Sequence, residues 1–274
     1  MQMEMPGKRR ALLYQLQGGP RPTLIVLHPY SGDAPSTAKY SGFLQAAIPQ
    51  GFNVVVPDAI GHEWHDTPDE TPSYGDDIAF LASLAEKLVA EGIADPKRMF
   101  IAGISNGGMM AFATACARPD LFAGIGTISG GMPKHAFASF RVQKPMALIM
   151  INGDADDVLP YAGGHVGDSS GFFRTTAGVK QTAALFAKPH EGSAAREPTR
   201  TQIRDRKRQI ERIDWSNGSM YPIVTVVKVV GGHHDVVGWR APIPAFFALP
   251  PRGPATAAAI VERFAEVNPD GPSR

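Results

Sequence analysis

The chain reads as an α/β protein, a mostly parallel central sheet with helices on both faces, and three observations carry that reading. Apolar runs rich in β-branched residues alternate with helical stretches from residue 23 onward. These runs are apolar at nearly every position, as strands buried on both faces must be. One of them ends in Gly103-Ile104-Ser105-Asn106-Gly107, a tight turn with a serine at its apex, and a helix-forming stretch follows at once. At 274 residues, one such domain over 1–274 suffices. Two segments, 162–215 and 236–254, read as irregular insertions near the sheet edge that carries the serine.

In chain order, 11–17 is an early strand stopped by Gly18-Gly19-Pro20, and 23–27 is a buried parallel strand that runs into His28-Pro29-Tyr30-Ser31-Gly32. A helix is expected over 36–48, then a buried strand over 52–58 and a loop with His62-Glu63-Trp64-His65-Asp66. The next helix, 74–91, has apolar residues at Ile78, Leu81, Leu84, Ala85 and Leu88, one face at helical spacing. Strand 98–102 leads into the serine turn, helix 110–117 leaves it, and 122–129 and 146–151 are further strands. The segment after Ala162 opens with glycine and serine, holds a helix over 179–187, and becomes charged around Arg204-Asp205-Arg206-Lys207-Arg208. Interleaved Asp205 and Glu211 make that cluster a solvated face rather than an anion site. Strand 223–230 delivers Gly231-Gly232-His233-His234; a proline-rich stretch and a closing helix over 255–267 follow.

Charge disfavours one class of partner, the polyanions. Lys and Arg number 27 against 26 Asp and Glu, a formal net charge of +1, so no global field favours nucleic acid. The single cysteine, Cys116, sits among small apolar residues as an inert thiol, and one cysteine permits no internal disulfide. The N-terminus, 1–10, reads as polar and basic, no segment has the apolar length of a membrane span, and 11–13 is too short for a signal-peptide core. The expected location is cytoplasmic as the chain stands, or secreted or periplasmic if a leader was removed.

A serine hydroxyl is a weak nucleophile at neutral pH; acyl transfer needs an imidazole to take its proton and a carboxylate to orient that imidazole. In the α/β-hydrolase arrangement the three arrive in the order serine, acid, histidine, each on a loop leaving a strand. Here strand 146–151 runs into a loop with Asp154, Asp156 and Asp157, and strand 223–230 into His233-His234, so the order is met with the acid and the base each open among neighbours. The first oxyanion donor falls on the backbone of Asn106.

The runs GISNGGM, GDADDVLPY and GGHHDVVG resemble those of the polyhydroxybutyrate depolymerase-like and feruloyl esterase-like serine esterases of the α/β-hydrolase superfamily, and the resemblance spans roughly residues 20–235. It implies a serine carboxylic ester hydrolase that needs no cofactor and acts on a small-molecule or oligomeric ester. Hydroxyalkanoate, feruloyl and acetyl esters are the expected types. The family's acid motif places its aspartate on Asp156, with Leu159 where the family has valine. Its histidine motif places the base on His234, with His233 replacing a glycine and standing as the alternative base; the motif's last glycine is Gly238. The second oxyanion donor is implied on the loop after strand 23–27, where proline at 29 moves it to Tyr30. A tryptophan in the corresponding family loop implies that Trp64 lines the substrate pocket; Tyr161, just after a proline, reads either as flanking the cleft or as a packed aromatic. His28 is read as a loop-bonding residue at the pocket's edge. His62 and His65 lack metalloprotease spacing, so no metal is expected. Alternatives are a peptidase or thioesterase with the same triad, and a non-catalytic binding module on the same fold.

Overall fold

The computed structural model describes residues 1–5, 9–67, 76–141, 146–167, 173–188, 197–205, 208–216, 223–234 and 256–267. The expected insertion at 236–254, together with Tyr74 and Gly238, lies outside them.

Side-chain alternation explains the apolar runs. Strand β3 (Arg21–Leu27) sends Ile25 and Leu27 into one core and Leu24 and Val26 into the other. Strand β5 (Ala94–Ile104) divides in the same way, Ile101 against Phe100 and Ala102. So does β7 (Ala147–Gly153), with Leu148 and Met150 against Ile149 and Ile151. A period of two with both faces covered leaves no polar position to mark the alternation.

The centre of the sheet is parallel: β4 (Asn53–Pro57), β3, β5, β6 (Gly124–Ile128), β7 and β12 (Val224–Val229) lie side by side. Antiparallel strands extend both sides. β1 (Gln2–Met5) and β2 (Arg9–Tyr14) continue from β4, while β11 (Arg208–Trp215) and β10 (Thr199–Asp205) continue from β12. The order in this 10-stranded sheet is β1-β2-β4-β3-β5-β6-β7-β12-β11-β10. A separate hairpin pairs β8 (Gly163–Gly167) with β9 (Phe173–Ala177).

Helices α3 (Asp77–Ala90), α4 (Asn106–Ala117), α5 (Lys134–Ser139) and α6 (Val179–Phe186) cover one face. Helices α1 (Ala34–Tyr40), α2 (Phe43–Ala47) and the last helix, α7 (Thr256–Ala265), cover the other. Helix α3 starts where the Asp76 carboxylate accepts the Ala79 N–H at 2.9 Å, and its stripe of Leu81, Leu84, Ala85 and Leu88 is fully buried. Helix α7 reaches the sheet closely because β6 carries glycine there: a Cβ at Gly126 would lie 2.5 Å from Ile260 Cγ2. Phe264 then stacks on Phe100 with centroids 4.5 Å apart.

Three expectations are corrected. The helix over 36–48 is two helices, broken at Gly42, whose φ of 82° no other residue type adopts cheaply, and it ends in a 3-10 turn at Ile48–Gln50. The N-terminal residues, read as polar and basic, form β1, with Met3 and Met5 buried on alternate positions. Within 162–215 the described residues are regular rather than irregular: they form the β8–β9 hairpin, α6, and the β10–β11 hairpin that widens the main sheet. On that hairpin Glu211 meets Arg200 at 3.0 Å and, across on β12, Lys228 at 2.6 Å; the side chains of the charged cluster at 204–208 lie outside the described residues.

Candidate active site

The turn between β5 and α4 can exist only with glycine on both sides of the serine. A Cβ at Gly103 would lie 2.2 Å from the Gly107 carbonyl, and a Cβ at Gly107 would lie 2.5 Å from the carbonyl oxygens of Leu27 and His28. The helix start is thus pressed against both its own strand and β3. Ser105 takes φ 52° and ψ −118°, outside the ordinary regions for a side-chain-bearing residue, and its N–H is tied to the Ile128 carbonyl at 2.9 Å.

Ser105 Oγ lies 3.0 Å from His234 Nε2. The other ring nitrogen, Nδ1, lies 2.8 Å from Asp156 Oδ2 and 3.1 Å from Oδ1. An acceptor carboxylate at Nδ1 puts the proton there and leaves Nε2 to accept from the serine hydroxyl. The Asp156 side chain is fully buried, and its Oδ1 also accepts the Val158 and Leu159 N–H groups at 3.0 and 2.7 Å. Those bonds fix the carboxylate's plane from behind.

The choices left open by the sequence separate cleanly. His234, not His233, reaches the serine; His233 sits at the surface with Nδ1 4.0 Å from Asp157 Oδ1. Asp157 is exposed. Asp154 holds the histidine loop, its Oδ1 accepting the Gly231 N–H at 2.6 Å. The acid and histidine loops lie directly on one another, because a Cβ at Gly153 would fall 2.0 Å from the Gly232 carbonyl oxygen. The Ala155 N–H meets that same oxygen at 2.9 Å.

Asn106 is the first residue of α4, and a first-turn N–H has no acceptor within its own helix. It also lies at the positive end of the helix dipole, where a developing oxyanion is favoured. In the loop after β3, Ser31 donates its N–H to the His62 carbonyl at 2.8 Å and Gly32 to the Pro29 carbonyl at 2.9 Å. Those two amides are thereby committed to the turn that presents Tyr30, which is itself well exposed.

Two pocket assignments are corrected. Trp64 and His28 are both fully buried and cannot form a substrate-facing wall. His28 donates from Nδ1 to the Pro29 carbonyl at 2.8 Å and accepts the Ala59 N–H on Nε2 at 3.0 Å, so it is a neutral tie between two loops. Burial pushes its pKa below the usual 6.5. Trp64 belongs to the apolar core. Tyr161 packs against that core with its hydroxyl pushed up to about 12, chiefly by burial and further by Glu211 and Asp154. His62 and His65 turn to different partners, the Gly32 carbonyl at 2.8 Å and Asp77 at 3.3 Å.

One residue at the site carries no motif. Ser129, just after β6, has a left-handed φ of 45°, is buried, and donates its hydroxyl to the His234 carbonyl at 3.3 Å. A serine before two glycines at a strand end was the available signal, and it is too common to single out.

Comparison with known proteins fits this geometry. Residues 40–141 match the prolyl oligopeptidase family, a span that includes the serine turn and stops before Asp156 and His234. A protein named as an esterase, NocK of Nocardia uniformis subsp. tsuyamanensis, is 31% identical over 57% of this chain and 48% of its own length. Poly(3-hydroxybutyrate) depolymerase of Ralstonia pickettii is 32% identical over 42% of this chain and 26% of its own. Feruloyl esterase B of Piromyces equi is 28% identical over 52% and 27%. The chain thus spans half or less of the length of these relatives. Among solved structures, acetyl xylan esterase from Aspergillus awamori aligns with a TM-score of 0.59 at 17% identity, over 85% of this chain and 93% of that one. A CIB-like hydrolase from Thermoplasma acidophilum aligns at 0.53 and 17% identity, over 97% and 98%. The chain has the α/β-hydrolase fold.

Proposed function

We propose that this α/β-hydrolase is a serine carboxylic ester hydrolase, with Ser105, His234 and Asp156 as its triad. The observation that carries the reading is the unbroken line of hydrogen bonds from Ser105 Oγ through both nitrogens of His234 to a buried Asp156. Ser105 Oγ attacks the ester carbonyl as its proton passes to His234 Nε2. The carbonyl oxygen becomes an oxyanion held by the backbone N–H of Asn106 and, on the opposite loop, of Tyr30. His234 then gives that proton to the departing alkoxide, so the alcohol leaves and Ser105 stays acylated. Water repeats the sequence: its proton goes to His234, its oxygen to the acyl carbon, and the acid leaves with Ser105 restored. Asp156 keeps the imidazole oriented and stabilises its cationic form throughout.

The named relatives act on feruloyl, hydroxybutyrate and acetyl-xylan esters, which makes those three classes the panel to test. The prolyl oligopeptidase match supplies a second reading, amide cleavage, and aminoacyl amides belong in the same panel. Ser105→Ala should abolish hydrolysis of short p-nitrophenyl esters and labelling by a fluorophosphonate probe while the circular dichroism spectrum is unchanged. Retained turnover in that folded variant would refute the assignment.

A further inference from the structure

We infer that Trp64 is a positioning residue that sets the spacing between the two halves of the oxyanion hole, an inference that rests on the acyl-transfer reading of Ser105. The Trp64 main chain and the Asn106 side chain form a closed pair of bonds: the Trp64 N–H donates to Asn106 Oδ1 at 2.8 Å, and Asn106 Nδ2 donates to the Trp64 carbonyl at 2.9 Å. The first turn of α4, whose backbone supplies one oxyanion donor, is thus fastened to the loop after β4. From the same residue the indole Nε1–H donates to the His28 carbonyl at 3.1 Å. His28 leads straight into the Pro29–Gly32 turn that carries the other donor, and its ring packs against the indole with centroids 5.0 Å apart.

Trp64 therefore bridges the two loops from behind, with every polar atom satisfied and none of its surface exposed. The His28 carbonyl is also one of the two oxygens that the absent side chain of Gly107 leaves room for, 2.5 Å from where its Cβ would stand. Moving that carbonyl moves the floor under the serine turn and the turn beside Tyr30 together. Donors aimed at the oxyanion lose effect steeply with misplacement, since they act only where charge develops. The bridge should thus favour the tetrahedral intermediate over the bound substrate.

The test is Trp64→benzothienylalanine, an isosteric replacement that keeps the ring volume and removes only the indole N–H. With p-nitrophenyl butyrate, kcat should fall about 10- to 100-fold, with KM changed by less than about twofold. Affinity for an alkyl trifluoromethyl ketone, which captures Ser105 Oγ as a tetrahedral oxyanion, should weaken by the same factor as kcat/KM. Asn106→Asp, which keeps the acceptor for the Trp64 N–H and sets a carboxylate oxygen against the Trp64 carbonyl, should give the same signature and serves if the first variant does not fold. An unchanged kcat in a folded variant, a rise in KM alone, or a kcat loss without loss of ketone affinity would each overturn the inference. Wild-type protein that neither cleaves esters nor reacts with fluorophosphonate would instead refute the acyl-transfer reading, and that result precedes any variant.

Discussion

At the scale of single residues, three aspartates within four positions do three different jobs. Asp156 is buried and holds the imidazole, Asp154 holds the backbone of the histidine loop through Gly231, and Asp157 faces solvent. Asp156→Asn should lower kcat about 10³- to 10⁴-fold, because an amide at that position favours the wrong imidazole tautomer. Asp154→Asn keeps an acceptor for the Gly231 N–H and should lower it far less; steady-state kinetics on both variants give the ranking. Composition cannot separate such neighbours, whereas motif position did single out Asp156. The choice of His234 over His233 was legible in the same way. The role of Ser129 was not, because its function is carried by a left-handed φ and a backbone carbonyl 105 positions away in sequence.

At the scale of elements, the parallel strands were legible because burial on both faces leaves continuous apolar runs, and α3 because its apolar stripe repeats at helical spacing. The failures have a common physical origin. β1, β10 and β11 lie outside the parallel centre, where one face or edge meets water and charged residues are tolerated, so hydrophobic runs do not mark them. The β8–β9 hairpin starts with two glycines, Gly163 and Gly164, at φ of 77° and 120°. It is anchored instead by a single buried cation: Arg174 on β9 donates from Nε to Asp66 and from a terminal nitrogen to Glu63, both at 3.0 Å. These carboxylates flank Trp64 and His65, so the hairpin is tied to the loop that bonds the Asn106 side chain. Arg174→Met should cost about 3–5 kcal/mol in chemical denaturation by stranding the buried Asp66 carboxylate. Adding Asp66→Leu should recover a large part of that loss, and a purely additive double variant would show the pair uncoupled.

At the scale of the whole molecule, stability should depend on pH through His28. Its folded pKa is depressed by burial, so the unfolded chain binds a proton that the folded chain refuses. The resulting stability is complete above the ordinary value of 6.5 and is lost as pH falls from there toward the folded value. The slope in that window approaches about 1.4 kcal/mol per pH unit for one proton. The melting temperature should drop on acidification from about pH 7.5 to about pH 5.5, and His28→Gln, which cannot be protonated, should show a shallower drop. Equal slopes in the two proteins would assign the acid sensitivity elsewhere.

The contact between Gly153 and Gly232 ties completion of the triad to the seating of β12. Ser105 and the acid loop precede β12 in the chain and His234 follows it directly, so the imidazole reaches them where β12 lies beside β7. Backbone lies on backbone at that junction, so the place of the histidine loop is set by the place of the strand. A nascent chain that ends short of β12 therefore holds a serine and a carboxylate without a base between them. Chemistry that depends on all three groups should therefore wait for the addition of the last parallel strand of the sheet.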